Sequence, residues 1–116
     1  MAITIEAYTG TETISTTEHS MTTDTAGPDV DTTAGVYQAF IDLNALAAYD
    51  VFQFKCYEKS RTGDTQRAVF SAYFEGAQTD PIAVTPTLML GVGWDMTLVK
   101  ISGTDRVINW RISKAT

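Results

Sequence analysis

The sequence predicts an all-β fold, an antiparallel β-sandwich or jelly-roll-like domain of seven to eight short strands with at most one short helix. Three observations carry that expectation. The middle and end of the chain alternate apolar and polar residues, turn residues punctuate them at short spacing, and a third of the first 33 residues are threonine. A period of two lays one set of side chains on a core face, and β-branched threonine suits half-exposed strands.

Taken in order, Ile3 to Ala7 alternates, with Ile3, Ile5 and Ala7 on one face. Glu12 to Thr16 and His19 to Thr23 are two further short strand candidates. The string DTAGPDVDTTA, residues 24–34, holds Gly27, Pro28 and three acids and reads as a loop. GVYQAFIDL, residues 35–43, resumes a strand with Tyr37, Ala39, Ile41 and Leu43 on one face. The NALAAYD that follows predicts at most two turns of helix, with Asn44 accepting an orphan N–H as its cap.

VFQFKCYEK, residues 51–59, sets Phe52, Phe54 and Cys56 against Gln53, Lys55 and Tyr57. After the turn residues Gly63-Asp64, QRAVFSAYFE sets Ala68, Phe70, Ala72 and Phe74 on one face. These two segments predict an antiparallel hairpin whose Phe–Phe and Phe–Ala pairs fill a sandwich core. Ile82 to Thr85, closed by Pro86, predicts an edge strand or a strand start. Gly91 and Gly93 predict a bend before Trp94. A second hairpin is predicted from Trp94 to Ile101 and Val107 to Ser113, around the loop 102–106. No internal repeat or second domain is visible, so 1–116 reads as one domain with residues 1–34 as its Thr-rich acidic N-terminal segment.

At 116 residues and 44% hydrophobic the chain has material for a core without covalent staples. Its single cysteine, Cys56, excludes an intrachain disulfide and a thiol-built zinc cluster. Its single histidine, His19, argues against a His-based metal site within one chain. No apolar run approaches the ~20 residues that span a bilayer, so no membrane partner is expected. The start, MAITIEAYTG, lacks the basic and continuous apolar regions of a signal peptide. The expectation is a protein made and kept in a reducing cytosol, at least until assembly or release. The net charge of −6 divides unevenly: residues 1–50 hold eight acids and no Lys or Arg, and residues 51–116 hold six acids and eight bases. Phosphate backbones are repelled by the first part, and the second is too balanced for a basic stripe, so nucleic acid is not an expected partner. An acidic surface of this kind keeps a protein soluble or docks on a basic patch.

Nucleophile elbows, phosphate-cradling loops, HExxH, EF-hand loops and paired CxxC motifs are absent. Cys56 lies on the Phe52/Phe54 face, where burial leaves a thiol inert. His19 beside Glu18 lacks a Ser or Cys at a spacing that argues for a nucleophile, and reads as a surface histidine in an acidic strand. Asp24, Asp29 and Asp31 offer oxygen ligands to a hard cation, but match no calcium loop and read as solvated. Trp94, Trp110, Tyr8, Tyr37, Tyr49, Tyr57 and Tyr73 are either core and interface anchors or a sugar-stacking platform, with Trp94 and Trp110 near each other across one sheet. No catalytic residue, cofactor or metal is therefore expected.

The stretches AYTGTETIST, VYQAFIDLNALAAYDVFQFKCYEKSRTGDTQR and GWDMTLVKISGTDRVINWRISKAT cover more than half of the chain. In layout they resemble the small β-rich virion structural proteins of tailed bacteriophages. That resemblance implies a non-enzymatic capsid decoration or cement protein, located in the virion, or a small tail or fibre-base component. The implied partners are the major capsid protein and other copies of the chain in a homo-oligomer. A carbohydrate-binding β-sandwich module is the alternative.

Overall fold

A computed structural model describes residues 2–115. Its strands in chain order are β1 (Ile3–Ile14), β2 (His19–Ser20), β3 (Thr25–Ala26), β4 (Gly35–Asp42), β5 (Val51–Glu58), β6 (Arg67–Glu75), β7 (Ile82–Val84), β8 (Leu88–Leu90), β9 (Asp95–Ser102) and β10 (Arg106–Ala115). They form two antiparallel five-stranded sheets. The first runs β1-β10-β4-β7, with β8 also paired to β4, and the second runs β3-β2-β9-β5-β6. The fold is an all-β sandwich, as the alternation predicts.

Inner faces meet in one core. From the first sheet come Tyr37, Ala39, Ile41, Ile108, Trp110 and Ile112, and from the second Phe52, Phe54, Cys56, Met96 and Leu98, all essentially inaccessible. Pairing across β5 and β6 matches the expected hairpin: Phe52 faces Phe74, Phe54 faces Ala72 and Cys56 faces Phe70. An extra residue in β6, Val69, makes a bulge where the register shifts between Cys56 and Tyr57.

Four expectations need correction. The last third is not a hairpin. β9 pairs with β5 and β2, and β10 pairs with β1 and β4, so the chain crosses between sheets at residues 103–105. Gly103 takes φ +95, a left-handed conformation that glycine adopts freely. Asp50 fastens this corner, accepting from Thr104 N and, at 2.7 Å, from Arg106 Nε. The segment NALAAYD is not helical but a pair of turns closed by Leu46 N to Leu43 O and Asp50 N to Ala47 O. Tyr49, at φ +71, is incompatible with a helical path. At the N-terminus Ile3 and Ile5 face solvent, and it is Tyr8 and Ile14 that turn towards the core. The proposed strand 12–16 is the end of β1, and the proposed strand 19–23 shortens to two residues.

The Gly91–Gly93 bend has a specific anchor. The Glu58 carboxylate accepts from the N–H groups of Gly91, Val92 and Gly93. Pro86 lies outside β7 and β8, which keeps the missing N–H off the ladder.

Candidate interaction edges and the Glu12, His19, Asp24 cluster

Cys56 is fully buried. Desolvation, with the nearby charges of Glu58 and Asp95, pushes its thiol up to about 12, far from the thiolate a nucleophile needs. His19 is not on the surface. It sits opposite Leu98 on β9 and is 8% exposed, because β2 is held between β3 and β9 with His19 on the inner face. Its ring packs edge-on against Trp110, with centroids 5.6 Å apart, and its Nε2 lies 2.7 Å from Asp24 Oδ1. Glu18 turns the other way and accepts from the hydroxyls of Tyr57 and Thr97.

Asp24, Asp29 and Asp31 are engaged separately. Asp24 pairs with His19, Asp31 accepts from the Tyr8 hydroxyl at 2.7 Å, and Asp29 accepts from Val30 N. The backbone N–H of Asp29 donates to the fully buried Asp95, which also accepts from the Thr22 hydroxyl. Burial raises the Asp95 carboxyl above its ordinary range, against the pull of those hydrogen bonds.

The two tryptophans belong to the core, 0% and 4% exposed, and lie on strands of different sheets or beside them. Their indole N–H groups are spent inside the fold: Trp94 donates to Thr33 O and Trp110 to Met21 O. Trp94 stacks at 4.3 Å from Tyr37 and meets the Tyr8 ring edge-on at 5.7 Å. A sugar platform built on Trp94 and Trp110 is thereby removed. The exposed tyrosines are Tyr49 and Tyr73.

Glu12 on β1 converges with His19 on β2 and Asp24 in the turn after β2, each offering a ligand atom within 4.8 Å of the others. One imidazole and two carboxylates form a donor set that zinc or manganese accepts, so a lone histidine does not preclude a mixed site. Among the described residues these three could hold a metal, and the direct His19–Asp24 hydrogen bond already satisfies two of them. Sequence spacing gave no signal for this group, because β1, β2 and the turn after β2 each supply one member.

Other surface features include the sheet edges and several open clefts, among them one of about 520 Å³ beside the β5–β6 loop, lined by Glu58, Lys59, Asp64 and Arg67 among others. An edge strand presents unpaired N–H and C=O groups along one side. In the first sheet the edges are β1, twelve residues long, and the three-residue β7 and β8. In the second they are the two-residue β3 and the nine-residue β6. Comparison with protein-family models, curated proteins and solved structures finds no match for this chain.

Proposed function

We propose that this chain is a non-enzymatic structural module that attaches to a repeated protein surface, in the manner of a capsid decoration protein on a viral shell, with β1 as its attachment strand. The observation that carries this reading is the character of β1. It is a twelve-residue edge strand with Ile3, Ile5 and Glu6 exposed, within a fifty-residue segment that has eight acids and no Lys or Arg. Strand addition to such an edge gains backbone hydrogen bonds, while a basic partner surface gains charge complementarity. The resemblance to phage virion proteins supports a shell subunit as that partner. Binding in place of turnover is supported by Cys56 and His19, the two side chains best suited to nucleophile and base, being packed away from solvent and from each other's chemistry. On a closed shell, many copies of a weak contact suffice for stable coating.

The test is co-sedimentation of the purified chain with shells assembled from the capsid subunit encoded in the same genome. Retention at about 0.05 M salt that weakens towards about 0.5 M is expected, since exposed charges are screened over that range. Glu6→Lys should lower retention at low salt. Failure to associate with the shells at low salt overturns the assignment.

A further inference from the structure

Glu12 occupies a position that alternation gives to the core. On β1 it shares a face with Gly10, which abuts the Trp110 ring, and with the fully buried Ile14. Its rung partner on β10 is the buried Ile108. Glu12 is itself exposed, and it reaches His19 and Asp24, which belong to β2 of the other sheet and the turn after it.

No Lys or Arg answers these two carboxylates. Among the described residues Glu12 joins no ion pair, and Asp24 pairs only with His19. Lys100 and Arg106 lie two residues along from the rung partners of His19 and Glu12, and they are committed to Asp105 and Asp50. His19 is the fixed member of the group. It is 8% exposed, ladders on both sides hold its strand, and its ring packs edge-on against Trp110. Its Nε2 is aimed at Asp24 Oδ1, 2.7 Å away. An ionised carboxylate only accepts, so Nε2 carries the proton of that contact.

We propose that Glu12, His19 and Asp24 form a zinc site that clamps β1 of the first sheet to β2 of the second, with water in the fourth position. Zinc takes imidazole nitrogen and carboxylate oxygen at about 2.0–2.2 Å in a tetrahedron, which sets two such ligands roughly 3.4 Å apart. The His19–Asp24 contact opens by less than 1 Å to reach that spacing, as a rough estimate from the same geometry. Glu12 closes on it by turning an exposed side chain. The ion takes the place of the proton on Nε2, the ring keeps its other proton on Nδ1, and two carboxylates meet a charge of matching size. Imidazole favours zinc over magnesium and calcium, which take shells built of oxygen. An inward charge also guards a sheet edge, but guarding calls for neither a buried imidazole nor a second carboxylate. Cys56 is buried with its thiol protonated, and offers no rival ligand. The clamp bears on residues 15–18, where the chain passes from one sheet to the other.

Calorimetric titration of the untagged full chain with zinc chloride tests it. One ion per chain is expected, with magnesium and calcium chloride at least about 10-fold weaker, as a site containing imidazole dictates. Cobalt chloride should give the visible absorption of a four-coordinate centre and quench the fluorescence of the neighbouring Trp110. Glu12→Gln and Asp24→Asn are isosteric changes at exposed positions, and each should weaken zinc at least about 10-fold, since even groups behind a ligand are worth about 10- to 100-fold. Glu6→Gln, on the same strand, should leave the constant unchanged. Zinc should raise the thermal midpoint of the wild type and leave that of Glu12→Gln/Asp24→Asn unmoved, because an ion stabilises only the state that binds it. Absence of zinc heat, binding indifferent to both isosteric changes, or calcium bound as tightly as zinc overturns the inference. All of this is read on the isolated chain, so its failure is distinct from failure to bind a shell.

Discussion

The two long edges, β1 and β6, have opposite designs on the same sandwich. β1 is long but irregular and uniformly acidic, and it is tied inward by a ring cluster in which Tyr8 meets Tyr37 and Trp94 and donates to Asp31. β6 is regular over its centre, neutral in sum and tied inward only by its ladder with β5 and by Phe70 and Phe74. Natural sheets guard edges with charge, bulges and short strands. Here one edge carries two acids and no base, and the other carries one charge of each sign, Arg67 and Glu75, at its two ends.

Breaking the anchor of β6 should have the largest effect. Phe54→Ala empties a fully buried site opposite Ala72 and should cost about 3–5 kcal/mol of stability, measured by urea unfolding. The corresponding anchor of β1 is a close approach, not a large side chain. A Cβ on Gly10 would lie 2.5 Å from the Trp110 ring, so Gly10→Ala should overpack this rung and cost about 1–3 kcal/mol, with tryptophan fluorescence reporting the displaced indole. An unaltered midpoint and spectrum would show that β1 yields freely.

Acid should act at the corner that joins the two sheets. The N–H groups of Thr104 and Ala47, and then the Arg106 guanidinium, hold the Asp50 carboxyl down to about 2. A depressed carboxyl contributes stability that is complete above the unfolded value of about 3.9 and lost as pH falls towards about 2. Urea midpoints should therefore fall across that window in the wild type and fall less in Asp50→Asn. The smallest effect should sharpen the edge comparison directly. Amide exchange should be several-fold faster in the edge strands Ile3–Ile14 and Arg67–Glu75 than in the doubly paired Val51–Glu58, as read by mass spectrometry of the three peptides.

How much of this was legible depends on whether the cause is local. The faces of β4, β5 and β6 were readable because period-two alternation assigns a side to each residue regardless of the partner strand. The β5–β6 hairpin was readable because its Gly63-Asp64 turn lies between two such segments. The identical reading failed around Gly103, where alternation on both sides describes a crossing between sheets as well as it describes a hairpin. Asp50, far away in sequence, decides between them by holding Thr104 and Arg106. NALAAYD has helix-forming residues, but two turns do not repay nucleation without packing, and Asp50 again takes its backbone, accepting from Ala47 N. His19 looked like a surface residue because its neighbours Glu18 and Thr17 are polar. The strand pairs on both sides of β2, which carry it inside, come from residues 25–26 and 97–98.

By itself, then, the amino-acid sequence determined the all-β class, the inward faces of the central strands, the inert setting of Cys56 and the acidic bias of the first fifty residues, since each follows from composition or from neighbours one or two residues apart. Tertiary structure alone decided which strands share a sheet, the gathering of Glu12, His19 and Asp24, the burial of both tryptophans, and the identity of the edges. Those depend on which distant backbone satisfies each strand's hydrogen bonds, and a strand's free side exists only once every other strand has taken its place.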